Sequence, residues 1–136
     1  MRYLIVIAAA WIAVSLVACG DSDSVVGDNN GDQRTEEGDR VQLAEMRREI
    51  NALVGDATGA SIADCRYAGV GSKPCGGPWE FIVYSASSTD STALAEKLTA
   101  YNAFEAEMNE LYEYASDCSL PNAPVLAYRD GRCVAE

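Results

Sequence analysis

The sequence predicts an α+β domain in which two helices pack on a small antiparallel sheet, in the order helix, strand, strand, helix, strand, strand, with disulfides as staples. Three observations carry this. Apolar residues recur at helical spacing in two stretches, 40–54 and 91–115, and short β-prone runs lie between and after them. Four cysteines, Cys65, Cys75, Cys118 and Cys133, fall among those runs. The 97 residues from 40 to 136 suffice for one small core with little to spare, which is where staples are useful.

In the first helix, Leu43, Met46, Ile50 and Leu53 are spaced by 3, 4 and 3 residues and form one apolar stripe. Asp39 is a candidate N-cap and Gly55 a candidate C-terminal stop. Glu45, Arg47, Arg48 and Glu49 fall on the opposite, solvated face. Cys65 to Val70 and Pro78 to Ser85 read as strands, the second holding Trp79, Phe81, Ile82, Val83 and Tyr84, the most β-prone run of the chain. The second helix fits Ser91 to Ala115, capped by Asp90, with Leu94, Leu98, Tyr101, Phe104 or Glu105, Met108 and Leu111 recurring at helical spacing. Glu107, Glu110 and Glu113 repeat every third residue, with Asp117 four beyond, and form an acidic ridge that a cation or basic partner could use, although a solvated face is the simpler reading. Val125 to Tyr128 and Arg132 to Val134 flank Asp130-Gly131, a strong hairpin signal.

Four cysteines permit three connectivities. Pairing Cys65 with Cys75 and Cys118 with Cys133 is favoured because each bond closes a local loop around a turn. A four-thiolate metal site is disfavoured, since the spacings are not CxxC pairs and the chain has no His. The segment GVGSKPCGGPW, 69–79, is rich in turn formers, but no GK[ST] follows and no helix opens there, so it reads as a pinned connection and not a phosphate cradle. Cys65, Cys75-Gly76-Gly77-Pro78, Tyr84-Ser85, Ser116-Asp117-Cys118 and Gly131-Arg132-Cys133 together resemble a small cysteine-containing domain of an uncharacterised family of exported bacterial proteins. That resemblance implies a domain boundary near residue 40 and no chemistry.

Upstream, Arg2 is followed by an uncharged apolar run, Tyr3 to Ala18, shorter than the roughly 20 residues of a spanning helix and typical of a secretory h-region. The run ends in Leu16-Val17-Ala18-Cys19, which resembles the lipobox of bacterial lipoproteins. The resemblance implies processing by the lipoprotein enzymes: diacylglyceryl transfer to the Cys19 thiol, then cleavage between Ala18 and Cys19. Small side chains before the cut let the backbone enter the peptidase, and two or three fatty chains at about 0.8 kcal/mol per buried CH₂ anchor the product stably. Gly20 stands where many Gram-negative lipoproteins carry an inner-membrane retention Asp, which favours the outer membrane, facing the periplasm.

From Gly20 to Asp39 only Val25 and Val26 are aliphatic and the net charge is −6, so a disordered acidic tether is expected, with a reach of roughly 25 Å. Asp28, Asn30, Asp32 and Asp39 fall at calcium-loop positions, but Gln33 replaces the required Gly and position 12 is Asp, so no metal is expected.

Composition narrows the function. The absence of His excludes His-dependent triads, Cys-His dyads and imidazole bases. A net charge of −11, from 21 acidic and 10 basic residues, disfavours nucleic acid. Carboxylates such as Glu105 and Asp117 could pair as in a glycosidase, yet acidic residues are too common here for that to be informative. The expectation is an exported, membrane-anchored envelope lipoprotein whose domain binds another envelope protein, without catalysis or cofactor. The alternative is an inhibitor of a secreted hydrolase, protease or lysozyme, acting through a Cys65–Cys75 loop that projects Ser72, Lys73 and Pro74. An enzyme without His chemistry is the remaining reading.

Overall fold

The computed structural model describes residues 34–136. Helix α1 spans Glu36–Val54, strand β1 Cys65–Val70, strand β2 Glu80–Ser85, helix α2 Ser91–Leu111, strand β3 Leu126–Arg129 and strand β4 Arg132–Ala135, so the chain is α+β. A short 3-10 turn, Ile62–Asp64, precedes β1.

Helix α1 starts four residues earlier than its stripe implied, because Thr35 and not Asp39 is its N-cap: the Thr35 Oγ1 accepts the Gly38 N–H at 3.1 Å. Glu36, Glu37 and Asp39 then occupy the first turn, where carboxylates favour the positive end of the helix. Residues 36–39 therefore belong to the folded unit and not to a tether. Asp39 is buried, and its carboxylate is ion-paired to Arg34 and accepts the Tyr112 hydroxyl at 2.9 Å.

Helix α2 is capped by Asp90, whose Oδ1 accepts the Thr92 and Ala93 N–H groups. It ends at Leu111, short of the expected Ala115, since Glu113 adopts a left-handed φ of 53°. Glu113 thus leaves the helical ridge, and Glu107 is taken by Arg34 at 3.1 Å.

The strands form two separate two-stranded antiparallel sheets, β1-β2 and β3-β4, where one four-stranded sheet was expected. Alternation explains the difference. In the β1-β2 register Ala68 pairs with Ile82 and Arg66 with Tyr84, placing Ala68, Val70, Ile82 and Tyr84 on one face. These pack with Ile50, Val54, Leu94, Leu98 and Tyr101 of the helices. The other face is apolar too: Cys65 and Val83 pack with Cys133, Leu126, Tyr128 and Ala57. A hairpin apolar on both faces is covered only by a layer on each side, so β3-β4 lies against it instead of extending its edge. The β3-β4 turn is Asp130-Gly131 with both φ positive, 49° and 79°, the conformation that suits a two-residue hairpin.

Both disulfides differ from the favoured pairing. They join Cys65 to Cys133 and Cys75 to Cys118, across 68 and 43 residues respectively. The layering dictates this, because Cys65 and Cys133 face each other between the hairpins, whereas Cys75 meets the segment leaving α2. All four thiols are thereby consumed, which removes the thiolate metal site. Two disulfides fit an oxidising compartment outside the cytoplasm. Among the described residues no helix is long and apolar enough to cross a membrane.

Candidate functional site

The glycine-rich connection between β1 and β2 is held by one polar stripe of α2. Asn102, Glu105 and Asn109, spaced by three and four residues, share a helix face. The Asn102 Oδ1 accepts the Gly71 N–H at 2.7 Å, the Glu105 Oε2 accepts the Ser72 N–H at 2.6 Å, and the Asn109 Nδ2 donates to the Ser72 carbonyl at 2.7 Å. Gly71 is required twice over: its φ is +88°, and a Cβ there would stand 2.5 Å from the Trp79 Cδ1. The carboxylate and amides thus satisfy loop backbone that no strand pairs.

Lys73 is buried beneath this connection, 6% exposed. Its ammonium donates to the Asp117 carboxylate at 2.8 Å and to the Ser119 carbonyl at 2.5 Å, and lies 4.8 Å from the Trp79 ring centroid. A buried ammonium is tolerated only when so partnered. In return the Lys73 hydrogen bond, followed by those from Ser119, draws the Asp117 carboxyl from 3.8 down to about 2. Cys75–Cys118 ties the same two segments covalently. The inhibitor alternative needed residues 71–75 to project within a Cys65–Cys75 loop; that loop is not formed, and Gly71 and Lys73 face inward.

Beside this clamp lies a cleft of about 360 Å³ between α1, α2 and the segment after α2. Leu43 and Arg40 of α1, Glu105 and Met108 of α2, Trp79 and Tyr114 line it. Trp79 is 44% exposed, an uncommon position for the largest apolar side chain of the described residues. Arg40 at the rim is committed to Glu36 at 2.6 Å, and the Tyr114 hydroxyl donates to the same Glu36 oxygen. Glu105 is half-buried, and that desolvation raises its carboxyl above the usual range, against the opposing effects of the Ser72 N–H and the Trp79 side chain. Among the described residues no Lys or Arg is ion-paired with it.

Glu105 and Asp117, considered together from sequence as a carboxylate pair, are committed separately, one to the Ser72 N–H and the other to Lys73. Ser72, Lys73 and Pro74 form part of the scaffold behind the cleft. Sequence reasoning missed the cleft because Leu43 and Met108 read as core and Trp79 as strand. The available signal was the Asn102, Glu105, Asn109 stripe, which places three polar groups next to the apolar face of α2. Ala18, Cys19 and the lipobox lie outside the described residues. Among the described residues no cluster of three or more metal-ligating side chains occurs.

No family model matches the chain, and no curated protein and no solved structure matches it.

Proposed function

We propose that this chain is a bacterial envelope lipoprotein, anchored through Cys19, whose folded part is a non-catalytic binding module that engages an envelope partner at the Trp79 cleft. The observation that carries the binding role is the cleft itself: an exposed indole, a thioether and a leucine surround one half-buried carboxylate. Such a mixture of apolar wall and few convergent polar groups is the usual make-up of a ligand pocket, and its volume lies at the small end of that class. Two disulfides, the apolar h-region and Leu16-Val17-Ala18-Cys19 support export and anchoring. Outer-membrane placement rests on Gly20 following the lipidated position.

Two measurements test the reading. Metabolic labelling with a fatty-acid analogue and detergent phase partition should label and partition the wild type, while Cys19→Ala should lose both properties. Site-specific photocrosslinking from position 43 or 111 in intact cells should then discriminate the binding face. Leu43 lines the cleft and Leu111 lies outside it. A reproducible adduct from 43 and none from 111 is expected, and the reverse pattern would sink the assignment of the cleft.

A further inference from the structure

Resting on the cleft as the binding site, we infer that its ligand presents a primary ammonium on an apolar stem, the head group set against the Glu105 carboxylate and the stem along Leu43, Met108 and Trp79. Four observations point there. Glu105 is an acid that lines the cleft and is half-buried without an ion-pair partner among the described residues. Its Oε2 accepts the Ser72 N–H, and a carboxylate carries more acceptor sites than the Ser72 N–H and the Trp79 side chain occupy. Trp79, 44% exposed, offers the apolar stem an indole wall, its ring contact with a cation being already taken by Lys73 at 4.8 Å. The surrounding field has the matching sign. Residues 34–136 carry 17 acidic and 9 basic groups, and eight of those basic groups are already ion-paired, so the net charge of these residues is negative.

The charged groups around Glu105 do not cancel this preference. On α1, Arg40 is paired with Glu36 and Arg47 with Glu80 of β2. In the β1-β2 connection Lys73 is paired with Asp117. On α2 itself Tyr101 is pushed up by burial and then by the Glu105 charge, so it is neutral at physiological pH. After α2, Tyr114 is bonded to Glu36. An ammonium entering the cleft therefore meets one unpaired, partly desolvated carboxylate. In that setting a charged hydrogen bond is stronger than at a wet surface.

The same head group occurs on a partner protein's lysine and on a free polyamine, and one titration separates them. The oxidised, lipid-anchored chain in nonionic detergent micelles, in which cleavage before Cys19 removes Trp11 and leaves Trp79 as the single tryptophan, is titrated with Nα-acetyl-lysine methylamide, its neutral counterpart Nα-acetyl-norleucine methylamide, and putrescine. Expected is a saturable change in Trp79 emission with the lysine probe, at an affinity roughly ten- to a hundredfold above the norleucine probe. Glu105→Gln should bring the lysine probe down to the affinity of the norleucine probe, and lowering the pH through the raised Glu105 carboxyl should narrow the same ratio. Tighter binding of the lysine probe than of putrescine assigns the head group to a protein side chain, and the opposite order assigns it to a free polyamine. Equal affinity for the lysine and norleucine probes, or an unaffected Glu105→Gln, overturns the ammonium assignment while the cleft remains a binding site. No response to any probe overturns both.

Discussion

Removing the Cys65–Cys133 bond offers the sharpest test of the layered architecture. The bond closes a 68-residue separation, and loop-closure entropy for that length corresponds to about 4 kcal/mol of stabilisation. Against the about 5–15 kcal/mol of a typical domain this is a large share, equivalent to a fall in Tm of roughly 15–30 °C. Both half-cystines are buried, at 3% and 5% exposure, among Ala57, Val83, Leu126 and Tyr128, so their loss also loosens the contact between the two hairpins. The control is Cys75–Cys118, whose 43-residue separation gives nearly the same entropic figure, about 4 kcal/mol, but whose cysteines are exposed. The double variants Cys65→Ala/Cys133→Ala and Cys75→Ala/Cys118→Ala are unfolded by urea and heat, followed by circular dichroism, without reductant. The first should lose more stability than the second. A loss under about 1 kcal/mol for Cys65→Ala/Cys133→Ala, or a peptide map linking Cys65 to Cys75, would refute the arrangement of two hairpins face to face.

Exposure also orders the two bonds kinetically: a mild dithiol should reduce Cys75–Cys118 well before Cys65–Cys133, as alkylation and peptide mapping would record, and simultaneous reduction would contradict the burial difference. Leu94, 1% exposed and packed with Ile50 and Val70, should cost about 2–5 kcal/mol as Leu94→Ala in denaturant melts. Gly71→Ala should destabilise the protein and shift Trp79 fluorescence, since the new methyl collides with the indole at a positive φ. Asp117 has a folded carboxyl near 2, below its ordinary 3.8, so its contribution is fully present above about pH 5 and is lost as pH falls through 4 toward 2. Asp117→Asn should flatten that acid limb in a melt-versus-pH series; an unchanged limb would show that the Lys73 pair is not responsible.

Local signals gave the elements well and their surroundings poorly. The apolar stripe of α1, the Asp90 cap, the strand Cys65–Val70 and the Asp130-Gly131 turn are all properties of a few neighbouring residues, and each appears where the sequence placed it. The start of α1 was misplaced because Thr35 and Asp39 are both competent caps, and the choice between them is made by Arg34 and Tyr112, which claim Asp39. Tyr112 is 73 residues away, beyond the reach of any local pattern. Lys73 illustrates the same limit. A lysine between Ser and Pro in a glycine-rich loop reads as exposed, and only the approach of Asp117 and Ser119 makes its burial tolerable.

By itself the sequence determined two helices, four short strands, an even set of four cysteines after Cys19, and a net charge of −11. Periodicity, turn chemistry and composition are local or additive quantities, so they survive without coordinates. Only tertiary structure decided which cysteines meet, that the sheet divides into two facing hairpins, and that Trp79 and Glu105 share a cleft with α1. Those outcomes depend on which faces remain uncovered once the first layers have packed, and that is a property of the assembled chain.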